Sequence, residues 1–179
     1  MARNATERSV LLRFTTAATA LVVGLLQAGA SVAQQNVETV VTATNGDWEV
    51  RCVEGTRQCG MRQTVNNPEG GQPLLEVEVV PIDGNDNAEA VMRVFAPLGV
   101  LLTRGLAMRV DGGEPIQTPF LVCAQNGCVA NIGLPADGVN TLKRGAAAEL
   151  TVYAAQQPDQ PVNARLSLMG FTRSYDELR

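Results

Sequence analysis

The chain has 179 residues, with 14 basic and 18 acidic side chains, four cysteines and no histidine. Without an imidazole, Ser-His-acid and Cys-His catalysis are excluded, and the commonest transition-metal ligand is missing. A formal net charge of −4 makes nucleic acid and anionic lipid headgroups poor partners.

Residues 1–33 read as a secretory signal peptide. Arg3, Arg8 and Arg13 form a basic start, and an apolar, small-residue stretch runs from Phe14 to Ala30. Ser31-Val32-Ala33 then places small residues at −3 and −1, with Gln34 as the first mature residue. The stretch contains Thr15, Thr16, Thr19 and Gln27 and falls short of the roughly 20 strongly apolar residues of a spanning helix. The basic start has no Arg-Arg pair, which favours general secretion, and no cysteine marks a lipid anchor at the cleavage site. Removal of this leader leaves 146 residues with 11 basic and 17 acidic side chains, net −6. That length suits one domain with a sizeable core. No transmembrane segment is expected after cleavage. The expected location is periplasmic, with outer-membrane association or secretion as further destinations.

Residues 34–44, polar, small and β-branched, read as a flexible lead-in, which places the domain at 45–179. Strand signals then dominate. Trp48, Val50 and Cys52 alternate with Glu49, Arg51 and Val53, and residues 57–65 form the next candidate, with Cys59, Met61, Gln63 and Val65 on one side. After an Asn/Pro/Gly-rich loop, the run 74–82 turns Leu75, Val77 and Val79 inward and Glu76 and Glu78 outward. Residues 90–96 make another strand, followed by the apolar but Pro/Gly-interrupted Pro97-Leu98-Gly99-Val100-Leu101-Leu102. Further strands are expected at 106–110, 120–123, 128–134, 150–152 and 164–168. Residues 135–144 read as a short internal helix, with proline at its start and Gly145 past its end. Phe171, Tyr175 and Leu178 have the spacing of a short C-terminal helix. Eight to nine strands separated by turn signals predict an all-β, single-domain antiparallel sandwich or barrel-like fold.

Four cysteines allow three pairings, and sequence does not choose among them. Local pairing, Cys52 with Cys59 and Cys123 with Cys128, is preferred because a hairpin brings each pair together. Asn126-Gly127 supplies a turn signal inside the second. The gaps of six and four residues do not suit zinc knuckles, and no Cys-x-x-Cys is present. Disulfides match an oxidising compartment.

Other chemistry is sparse. Lys143, the only lysine, reads as a charge at a helix C-terminus. Asp83, Asn85 and Asn87 echo a calcium loop, but its sixth and twelfth positions are Ala88 and Val94 instead of Gly and Glu. Glu76 and Glu78 read as a solvated face. Trp48 reads as core, and so does the 97–102 stretch. The alternative for that stretch is a partner contact made by Leu98, Val100, Leu101 and Leu102. No catalytic residue, metal site or cofactor is assigned.

The chain resembles the invasion-associated locus B family of exported α-proteobacterial proteins. Four segments carry the likeness: Gly46-Asp47-Trp48-Glu49-Val50-Arg51-Cys52 with Cys59; Arg93-Val94-Phe95-Ala96-Pro97-Leu98-Gly99-Val100-Leu101-Leu102 with Gly105-Leu106 and Val110-Asp111-Gly112; Cys123-Ala124-Gln125-Asn126-Gly127-Cys128; and Leu142-Lys143-Arg144-Gly145 with Leu168-Met169-Gly170-Phe171 and Tyr175. Order and spacing agree over residues 45–178. Thr103-Arg104 departs from the proline and small or polar residue expected there. The resemblance implies an envelope protein with no agreed active site or cofactor, and some relatives are linked to host-cell entry. The expected function is therefore a non-enzymatic binding module for an envelope protein. A surface-associated invasion or adhesion factor with a host-surface partner is the first alternative, and a periplasmic enzyme the second.

Overall fold

The computed structural model describes residues 38–67, 72–84 and 87–178. The leader and residues 34–37 lie outside these. Strands β1 (Thr39–Asn45), β2 (Trp48–Val53), β3 (Cys59–Asn66), β4 (Pro73–Pro81) and β5 (Ala90–Ala96) come first. Then follow β6 (Leu106–Val110), β7 (Ile116–Thr118), β8 (Phe120–Ala124) and β9 (Gly127–Leu134). Helix α1 (Ala136–Arg144), β10 (Ala147–Ala154), β11 (Gln157–Ser167) and α2 (Phe171–Asp176) complete the domain. Among the described residues these strands form two antiparallel sheets, ordered β1-β2-β3-β4-β5-β9-β8 and β11-β10-β6-β7. The architecture is a sandwich, as one of the two expected forms.

All nine expected strands are present. The two additional ones, β1 and β7, lack a buried face. Residues 39–44, read as lead-in, are instead the edge strand β1, paired Val40 to Cys52 and Ala43 to Val50 across a bulge. Backbone bonds to β2 hold it, and most of its side chains face solvent, so no two-residue hydrophobic period marks it.

Alternation builds the core. Met61, Leu75, Val77, Val79, Met92 and Val94 of the large sheet face Leu106, Met108, Leu150 and Leu166 of the small one, all buried. Each such burial is worth about 1.5–3 kcal/mol. Polar side chains also join the two layers. Buried Gln63 donates from Nε2 to the Ser167 carbonyl and accepts from the Ser167 N–H, both at 2.9 Å. Trp48 Nε1 donates to the same carbonyl at 3.0 Å. These bonds satisfy the end of β11 where it would otherwise bury backbone polar groups without partners.

Helix α2 covers the β1–β2 end. Phe171 meets Trp48 edge to face at 5.3 Å and stacks on Tyr175 at 5.9 Å. Lys143, at the end of α1, donates to Asp176 at 2.6 Å and lies 5.0 Å from the Tyr175 ring centre. The expected helix-end charge thus also ties α1 to α2.

Asp111 makes a second tie. It holds φ at 47°, and its carboxylate accepts from the Ala146 N–H at 2.9 Å and the Ala147 N–H at 3.0 Å. Those two donors, Ala146 first, hold its pKa below the usual 3.8, with a smaller contribution from the charge of Arg165. A carboxyl whose folded pKa is depressed stabilises the fold above its unfolded value and loses that contribution as pH falls through the folded one. Thermal melts from about pH 6 to pH 2 should therefore show Asp111→Asn less stable than the parent above pH 3.8, with the gap closing below it. A gap independent of pH would remove the charge from this account.

Candidate functional site

The loop after β5 is fastened to the end of β10. Val100 bridges to Ala154, Leu101 N–H donates to the Tyr153 carbonyl at 2.7 Å, and Ala155 N–H donates to the Gly99 carbonyl at 2.7 Å. The Arg104 guanidinium lies 4.8 Å from the Tyr153 ring centre. This fastening divides the apolar stretch that sequence reading placed in the core. Val100 and Leu101 are half-buried, whereas Leu98 is 60% and Leu102 53% exposed. The backbone bonds fall on the middle of the loop, so its flanking leucines face outward.

Beside this loop run two edge strands that are consecutive in the chain. β7 ends the small sheet and β8 ends the large one, with Pro119 between them. A Cβ on Gly105, where φ is 64°, would stand 2.4 Å from the Thr118 carbonyl oxygen, so the loop and this crossing lie in direct contact. On β8 only Phe120 is half-buried; Leu121 is 71% and Val122 55% exposed. A bulge between Phe120 and Val122 shifts the register there. Residues 115–136 contain no charged side chain. That uncharged run was the available signal for an exposed apolar edge, and alternation could not reveal it.

Both local disulfides are formed, Cys52–Cys59 across β2 and β3 and Cys123–Cys128 across β8 and β9. The second hairpin forms as expected, but its tip is Gln125-Asn126. Gly127 instead begins β9 at φ 133°, where a Cβ would stand 2.4 Å from the Ala96 carbonyl oxygen.

A broad groove of about 1000 Å³ lies over the outer face of the large sheet, lined by Arg51, Arg57, Arg62, Arg93 and Glu78 among others. Arg51 pairs with Glu49 at 2.7 Å, Arg62 with Glu76, and Arg93 with Glu78 at 3.1 Å. Glu76 and Glu78 are therefore rungs of a charge ladder, each held by its own arginine. They are not a carboxylate pair poised for acid–base work. Among the described residues no helix is long and apolar enough to cross a membrane.

Comparison with known proteins adds independent findings. The family model described as Invasion associated locus B (IalB) protein matches residues 48–179. An Invasion protein B homolog of Brucella abortus strain 2308 is 30% identical over 156 residues, covering 86% of this chain and 83% of the relative. A homolog from Brucella abortus biovar 1 strain 9-941 matches to the same extent. The crystal structure of invasion associated protein B from Bartonella henselae superimposes with a TM-score of 0.62 at 25% identity, over 79% of this chain and 95% of that one. Matched in sequence over most of its length and in fold to a solved member, the chain belongs to the invasion associated locus B protein family.

Proposed function

We propose that the chain is exported through residues 1–33 and acts in the periplasm as a non-enzymatic interaction module. Its contact surface is Leu98 and Leu102 on the loop with Leu121 and Val122 on β8. The carrying observation is that these four apolar side chains are exposed, two on the edge strand β8 and two on the loop whose Gly105 abuts Thr118 just before that strand. Isolated exposed apolar residues are ordinary, but a cluster of them beside an open edge is the signature of a contact. Two cross-strand disulfides support an oxidising compartment, and the lack of histidine supports a binding role. Val100 and Leu101 serve by holding the loop in place.

Leu102→Asp should reduce recovery of crosslinked partner from the envelope about tenfold, because a buried contact leucine is worth about 1–2 kcal/mol. Its melting temperature should stay within a few degrees of the parent, since Leu102 already faces water. Undiminished recovery with a folded variant would remove the loop from the contact. The names of the Brucella and Bartonella relatives favour a second reading, a surface-associated factor meeting a host partner during invasion or adhesion. That reading requires exposure on the cell exterior. Protease treatment of intact cells decides it, because a fully protected protein cannot meet a host surface.

A further inference from the structure

We infer that the partner at this surface is a second copy of the chain, paired antiparallel to the first along β8. The inference rests on the reading of this surface as the contact site. Three features of β8 lead to it.

The first is its open backbone. Cys123 and Cys128 have a Cα separation of 4.0 Å, the close spacing of a non-hydrogen-bonded antiparallel pair. Cys123 therefore turns its N–H and C=O away from β9, toward the side where no strand pairs among the described residues. Sheet edges are ordinarily blunted by charge, proline, a bulge or shortness. β11 carries Pro158, Asp159 and Pro161, and β7 has three residues. β1 is flanked by Glu38 and Glu54 and packed against α2. β8 has a bulge, with Pro119 just before the strand, but it carries no charged side chain along its length. Its bulge exposes a leucine where a guarded edge would present a charge.

The second is charge. In a twofold contact every side chain near the axis meets its own kind. A chain whose expected mature form is net −6 can approach itself with least repulsion through a neutral surface. Residues 115–136 are the longest uncharged run after residue 37, and β8 lies inside them. On β8 itself a partner drawn by complementary charge would find nothing to read, although Arg104 of the neighbouring loop stands beside Leu102 and Pro119. A self-complementary edge needs only shape, apolar side chains and free backbone groups.

The third is reach. β1 and β8 are the opposite edges of the seven-stranded sheet, six strand spacings apart, or about 29 Å. After leader removal, residues 34–37 extend at most about 14 Å from β1, so they cannot cover β8. Pairing of two β8 edges would instead make one continuous antiparallel sheet across the twofold, with Leu121 and Val122 of each copy at the seam.

The purified, disulfide-intact protein should sediment as a concentration-dependent dimer between about 1 and 100 µM. Val122→Lys should raise the dimer dissociation constant at least about tenfold with little change in melting temperature. Val40→Lys, on the opposite edge, should leave it unchanged. A dimer indifferent to Val122→Lys would overturn the inference, because the copies would then meet elsewhere. A monomer at every concentration would also overturn it, and envelope crosslinking then separates the two readings. If Val122→Lys abolishes partner recovery, the surface remains a contact site for a different protein. If recovery is unaffected, the surface reading falls as well.

Discussion

Trp48→Ala is expected to lower the unfolding free energy by about 3–5 kcal/mol, measured by urea denaturation. Trp48 is fully buried, and its ring packs edge to face with Phe171. Truncation would open a cavity next to α2 that rigid sheet neighbours cannot fill. It would also remove the indole donor from the Ser167 carbonyl, leaving Gln63 as its side-chain donor. Trp48→Phe separates the two contributions. It keeps most of the apolar volume and loses the donor, so its cost should fall to about 1–2 kcal/mol. A loss below about 1 kcal/mol for the alanine variant would mean that α2 docking contributes little to the stability of the sandwich.

Gly170→Ala should be of similar severity, about 3 kcal/mol or more, for a different reason. Gly170 has φ 89°, and a Cβ there would lie 1.9 Å from the Asn45 carbonyl oxygen. Opposite it, a Cβ on Gly46 would lie 2.5 Å from the Met169 carbonyl oxygen, and Asp47 N–H donates to that oxygen at 3.2 Å. The turn between β1 and β2 and the turn leading into α2 thus touch backbone to backbone. Asn45 reinforces the contact by donating to Ser174 Oγ and to Glu177, both at 3.2 Å. No side chain can move aside to relieve the clash. Gly55→Ala is the control, because Gly55 has φ 73° and nothing within 4 Å of its added Cβ. It should cost only the backbone preference, about 1–2 kcal/mol. Equal losses at the two positions would show that φ alone matters and that the close approach does not.

Sequence reading succeeded where a strand has one dry and one wet face. β2 to β5, β6, β9 and β10 all alternate, because the opposing sheet buries every second residue. It failed at β1 and β7, whose order comes from backbone pairing and leaves no mark on side-chain choice. The turn at residues 124–127 shows a subtler failure. Gly127 was read as the turn glycine of an Asn-Gly tip, yet its role is to let β9 approach the Ala96 carbonyl. A two-residue motif carries the local chain preference, but the neighbour that makes glycine necessary is 31 positions away.

Residue order alone settled the strand pattern of the core, the exclusion of imidazole chemistry and the kinship with invasion associated locus B proteins. These depend on local period, composition and motif spacing. Tertiary structure settled the choice among the three cysteine pairings, the ion pairing of Glu76 and Glu78, and the outward face of the apolar loop. It also exposed Leu121 and Val122, which in a list of residues cannot be told from the buried aliphatics of β4. The physical reason is that burial belongs to whatever lies opposite a strand. β4 has the second sheet across from it, whereas β8 is an edge whose side chains face mostly solvent.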